Sequence, residues 1–246
     1  MAARGNNRKP RAAGRTEPTR RRPYLERLAR RGPLYVWLVD GSYIRTAKEI
    51  EFSNFGQHYD FPSLIPRNEI WLDYEADPDE HAFFIAHAVL ERRLRAQGAD
   101  PEVARRKANA RERALRAATG DLRKVLGDRE LPQVDRVHVS LWKQLTGGPS
   151  VWFVDGRLVR SAFDVEFTAG GHAHVYEFVP DHEIWIDDDI HEDERAFVLF
   201  HELHEHSLMA LGMDYDTAHA EASTRERYLR KHPAELHQAL VDEGWE

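Results

Sequence analysis

The chain has 246 residues, of which 41% are hydrophobic and 31% charged, ordinary proportions for a globular protein with room for one large domain or two small ones. It contains 0 Cys, which excludes disulfides, cysteine nucleophiles and cysteine-based zinc or iron–sulfur sites, so that any metal must be held by His, Asp or Glu. The net charge of −7 is unevenly spread: residues 1–31 carry 11 Lys/Arg against Glu17 and Glu26, a charge of +9, which leaves −16 for the other 215 residues.

In chain order the first segment is a basic arm, residues 1–23, too poor in apolar residues to offset the entropy of ordering it and expected to be disordered. Arg20, Arg21 and Arg22 suit nucleic-acid phosphates, bound by counterion release, as well as they suit a solubilising tail. No apolar run reaches the roughly 18 residues of a transmembrane helix, and the N-terminus lacks a signal-peptide core, so the expectation is a cytoplasmic protein without a membrane partner.

Beyond the arm the chain is written twice. Positions 36–52 and 151–167 agree at 9 of 17 places, from Val36-Trp37 against Val151-Trp152 to Glu51-Phe52 against Glu166-Phe167. After a one-residue gap, Pro66, Glu69, Ile70, Trp71 and Asp73 meet Pro180, Glu183, Ile184, Trp185 and Asp187, and Asp79, Glu80, His87 and Glu91 meet Asp193, Glu194, His201 and Glu205. The chain thus divides into a first repeat over 24–131 and a second over 132–246.

Each repeat reads as strands followed by helices. In the second, Val151–Val154 and Leu158–Phe167 read as strands joined by a hairpin turn at Asp155-Gly156. Gly170-Gly171 breaks the run, and His174–Val179 and Glu183–Asp187 give two more strands. A helix runs from about Asp193 to Leu211, and in the first repeat its counterpart starts at an Asp77 cap with Pro78 at the first helical position. A last helix follows the cap Asp214, or Asp100 in the first repeat. The expected fold class is α+β: a tandem β-β-β-β-α-α unit with helices packed on antiparallel sheets, and Trp37, Trp71, Trp152 and Trp185 in the core.

The repeats differ in their histidines, ten of 14 lying at or beyond position 172. The second-repeat helix reads His201-Glu202-Leu203-His204-Glu205-His206, where the first has His87-Ala88-Val89-Leu90-Glu91-Arg92. At about 100° per residue His201, His204 and Glu205 share one face, with Glu202 beside it. His201 and Glu205 are therefore placed to hold one divalent ion, with Glu202 as general base toward a water that the ion acidifies. The first repeat, with Ala88 in place of that base, is expected to be catalytically dead.

A His-Glu pair opening such a stretch of helix resembles the zincin-like metallopeptidases, in which a short sheet precedes the His-Glu helix and a further helix offers a third ligand. The resemblance covers roughly 150–230 and departs at Glu205, which stands where the family has its second histidine. It implies a metal-dependent hydrolase of peptides, zinc as the metal, His201 as ligand and Glu202 as base. Glu205 or His204 is then the second ligand and His219 or Glu226 the third, Glu226 serving alternatively to orient a histidine. His172, His174 and His206 are accessory candidates. The competing reading is a non-enzymatic duplicated adaptor, associated with nucleic acid through its arm.

Overall fold

A computed structural model describes residues 23–245, and the expectations for the basic arm with Arg20, Arg21 and Arg22 lie outside them. The first repeat contains β1 (Tyr24–Arg31), β2 (Leu34–Val39), α1 (Gly41–Ala47), β3 (Phe55–Gln57), β4 (Glu69–Asp73), α2 (His81–Ala96), α3 (Pro101–Ala117) and α4 (Asp121–Leu126). The second repeats the series as β5 (His138–Gln144), β6 (Ser150–Val154), α5 (Gly156–Ala162), β7 (Gly170–His172), β8 (Glu183–Asp187), α6 (Glu192–Ala210), α7 (Tyr215–Lys231) and α8 (Leu236–Asp242).

The α+β class holds, and the two sheets have the same topology, β1-β2-β4-β3 and β5-β6-β8-β7. Within each sheet the outer pairings are antiparallel, but the central one, β2 with β4 and β6 with β8, is parallel, so neither sheet is wholly antiparallel as expected. Both faces are covered. In the second repeat Val151, Ile184 and Ile186 pack against Leu199, Phe200 and Leu203 of α6, while Val154 and Trp185 pack on the other side against Val159 of α5. β8 is accordingly buried at every residue, as a strand with two covered faces must be. Trp71 and Trp185 lie in the core and Trp37 and Trp152 at its margin.

The unit order is β-β-α-β-β-α-α-α, and three expectations are corrected. Asp155-Gly156 is no hairpin turn: the Asp155 carboxylate accepts from the N–H of Leu158 and caps α5, so the expected strand 158–167 begins as a helix. The glycine is needed because a Cβ at Gly156, or at Gly41 in the first repeat, would run into the carboxylate of Asp187 or Asp73. Gly170-Gly171 does not break the sheet but forms β7 with His172, whereas 174–179 is a series of turns. Finally, Asp77-Pro78-Asp79 forms turns, and α2 starts only at His81, after Glu80. Strands β1 and β5 are mostly exposed, with Leu25, Leu28, Val139 and Leu141 at the surface among polar residues, so no apolar-in, polar-out alternation announces them.

The repeats meet across a seam of reciprocal contacts. Arg45 of the first repeat bonds Glu194 of the second at 2.7 Å, and its counterpart Arg160 bonds Glu80 of the first. Glu49 faces Arg227 and Asp164 faces Arg113 in the same exchanged fashion. These contacts recur on the two sides of the seam with the partners' repeats exchanged, the signature of an approximate twofold axis.

Candidate metal centre

Each repeat contains the same buried chain of charges, running from a strand end across the seam to the helix histidine. Toward the second repeat's histidine, Arg45 of the first repeat joins Asp73 (2.6 Å) to Glu194 (2.7 Å), Arg230 joins Glu194 (2.9 Å) to Glu226 (2.8 Å), and Glu226 Oε2 bonds His201 Nδ1 at 3.0 Å. Toward the first repeat's histidine, Asp187 and Arg160 of the second repeat, then Glu80, Arg116 and Glu112, lead in the same way to His87 Nδ1, 2.8 Å from Glu112. Arg45/Arg160, Glu80/Glu194, Glu112/Glu226 and Arg116/Arg230 are identical in the two repeats, and their place in this chain of charges gives them a common structural role.

Beyond the histidine the repeats part. In α2 the carboxylate of Glu91 lies 3.6 Å from His87 Nε2, 3.2 Å from Arg95 and 2.9 Å from the amide of Gln57. Burial alone would lower the pKa of His87, but bonds to Glu112 and Glu91 raise it to about 9, so this is a proton-charged network closed by an arginine. In α6, Met209 stands where Arg95 was, and among the described residues no guanidinium bonds Glu205. Its Oε2 instead lies 2.7 Å from His219 Nδ1 and 3.6 Å from His201 Nε2, and the two nitrogens are 3.3 Å apart. Its Oε1 lies 3.1 Å from His172 Nε2.

The register of β3 and β7 makes Gln57, not His58, the counterpart of His172: both occupy the third strand position, against Ile70 and Ile184. His58 bonds the carbonyl of Ile65 instead.

Both ligand-type histidines are held at their far nitrogens by carboxylates, His201 Nδ1 by Glu226 at 3.0 Å and His219 Nε2 by Glu51 of the first repeat at 3.0 Å. The inner nitrogens face each other and the anionic Glu205, an arrangement that favours positive charge between them. Protons can supply it: bonds to Glu205 and Glu51 raise His219 to about 9. His201 rises well above the usual range through Glu205 and Glu226 despite its burial, and Glu205 falls far below the carboxylate range despite its own. A divalent ion fits equally. Ligands about 2.05 Å from a tetrahedral centre lie ~3.3 Å apart, within the spread of the three observed separations. His201, Glu205 and His219 thus bring one nitrogen or oxygen each within 4.8 Å of the others, while Glu226 bonds the far nitrogen of His201.

Glu202 sits beside this group, and its carboxylate takes no hydrogen bond among the described residues although only 8% of the residue is exposed. Burial pushes it up to about 7. Its space comes from a size exchange between the repeats: Phe55 and Ala88 of the first become Gly170 and Glu202 of the second, and a Cβ on Gly170 would come within 2.9 Å of the Glu202 side chain. Glu202, His201 and His219 line a cavity of about 160 Å³ at the seam, whose other walls include Ile50, Phe52 and Asn54 of the first repeat and Val198 and Ile190 of the second.

The remaining candidates lie elsewhere. His204 stacks on Phe200 and bonds Glu243 at 2.6 Å, which removes it as the alternative second ligand; an i+3 position shares only part of the helix face, and α8 takes it up. His174 and His206 stand beside the buried His172, with ring centres 4.9 to 5.7 Å apart, and burial next to these two rings lowers His206 to about 4. His172 Nδ1 is buried without a partner among the described residues. The functional residue overlooked in the sequence is Glu51: its match with Glu166 was visible, its reach across the seam was not. Comparison with protein-family models, with curated proteins and with solved structures finds no match for this chain.

Proposed function

We propose that the chain is a metal-dependent hydrolase of zincin-like type, acting on peptide bonds, with its chemistry in the second repeat alone. The observation that carries this reading is the convergence of two imidazoles and a carboxylate, each imidazole fixed from behind by its own carboxylate, where the twin repeat has an arginine-closed ion network.

His201, Glu205 and His219 would hold the ion. Two histidines and one glutamate are a donor set known from catalytic zinc sites. Here the glutamate lies on the first helix and the second histidine on the next, the reverse of the usual placement. A bound divalent ion supplies Lewis acidity toward a carbonyl and toward water. Glu202, unpaired and facing the cavity, accepts the water's proton at its carboxylate and returns one to the leaving amine. Ile50, Phe52, Ile190 and Val198 give the cavity a local apolar wall among charged residues that include Arg45, Arg160, Asp187 and Glu194.

The test is elemental analysis of protein purified without an affinity tag, combined with Glu202→Gln. About one equivalent of zinc is expected, and the variant should keep that metal while losing peptidase turnover by roughly 10²–10⁴-fold. Less than a tenth of an equivalent after refolding with zinc would refute the centre. Undiminished turnover in the variant would refute the base.

A further inference from the structure

We infer that the first repeat supplies a working part of the second repeat's site: Glu51 is a positioning residue that fixes the tautomer and ring orientation of His219. The inference rests on the metal reading above and adds a residue from the half of the molecule that has no site of its own.

His219 is the most exposed of the three converging residues, with 31% of its side chain accessible, and it lies only one turn into α7. Its ring is flanked by Tyr215 (centres 5.3 Å apart) and by His201 (4.9 Å), neither of which dictates which nitrogen carries the proton. Glu51 does. As a carboxylate it only accepts, so its 3.0 Å contact to Nε2 holds a proton there, and when an ion displaces the proton that Nδ1 shares with Glu205 the ring is left in the one tautomer that can ligate through Nδ1. The carboxylate comes from a rigid mount, since its neighbours Ile50 and Phe52 are both buried in the first repeat's core.

The approximate twofold provides an internal control. Glu166, the counterpart of Glu51, crosses the seam the other way and lies 3.6 Å from Arg105, the counterpart of His219, which is engaged more closely by Glu102 on its own helix at 2.5 Å. The seam thus delivers a glutamate to both positions, and only one of them meets an imidazole. If Glu51 merely sealed the seam, it and Glu166 would be interchangeable in effect.

Zinc affinity, read by competition with a chromophoric chelator at neutral pH, separates the two. Glu51→Ala should weaken zinc binding about 10–100-fold, as loss of a ligand's carboxylate partner does elsewhere. Glu51→Gln, whose amide oxygen still accepts from Nε2, should recover most of that loss, and Glu166→Ala should bind as the wild type does. Wild-type affinity in Glu51→Ala, or equal losses in Glu51→Ala and Glu166→Ala, would overturn the inference while leaving the metal reading intact. A wild-type chain that takes up no zinc would overturn both.

Discussion

Helices α2 and α6 carry a histidine and a glutamate one turn apart, above sheets of the same topology and at the end of the same chain of buried charges. In α2 that pair is saturated: Arg95 and Gln57 occupy the Glu91 carboxylate, and Phe55 packs edge-on against the His87 ring. In α6 the arginine is gone, the glutamine position holds His172, the phenylalanine position holds a glycine, and α7 contributes His219 where α3 has Arg105. The candidate centre therefore arises by subtraction as much as by addition. Taking away the guanidinium leaves an anionic carboxylate among imidazoles, an environment that favours positive charge, whether carried by protons or by an ion.

The largest effect that can break the likeness of the two helices lies in what the repeats share. Glu80 is fully buried between Arg116 and Arg160, so Glu80→Ala strands two guanidinium groups with half their partners and should cost about 3–5 kcal/mol, read by denaturant unfolding. The pH dependence has a definite sign. Burial would raise the carboxyl of the counterpart Glu194, but Arg45 and Arg230 hold it at about 2, below its ordinary value near 4.5. Its contribution is therefore present above about pH 4.5 and lost as pH falls through about 2, so the wild type should unfold in acid over that window. A flat stability between those pH values would contradict the chain of buried charges.

A smaller effect is expected where the repeats differ. Met209→Arg restores the guanidinium of the first repeat beside Glu205 and should lower zinc affinity at least tenfold with little change in helix content, measured by chelator competition and circular dichroism. Unchanged affinity would mean that the arginine is irrelevant to the difference. The smallest effect is expected where the repeats have different residues in one role. Tyr24 donates to Glu69 at 2.9 Å and His138 meets Glu183 at 2.9 Å, so Tyr24→His should cost less than about 1 kcal/mol in unfolding measurements.

Much of this is legible from the residues. The duplication, the two long helices of each repeat, the caps Asp100 and Asp214, and the pairing of His201 with Glu205 follow from spacing, because each depends on neighbours within a turn or on a match between copies, whereas His219 enters only through the family resemblance, with Glu226 as its alternative. The errors come where a residue answers to something distant. Gly156 reads as a turn glycine but serves the close approach of Asp187, a strand away, and Gly170 reads as a break but vacates the space that Glu202 fills. The parallel central pairing is hidden because the residues of α1 and α5 read as strand, which removes the crossover that a parallel pair requires. Glu51 is invisible as a functional residue for the same reason, its partner lying 168 positions along the chain.

The exchange of partners across the seam also bears on ancestry. Contacts that map onto themselves when the halves are swapped are those a homodimer makes across its symmetry axis, here captured within one polypeptide. In such a dimer every chain must stay competent at once, since one gene writes both. Fusion removes that constraint: one half can drift toward inertness at its own helix provided it keeps the face, with Glu51, that its neighbour still needs.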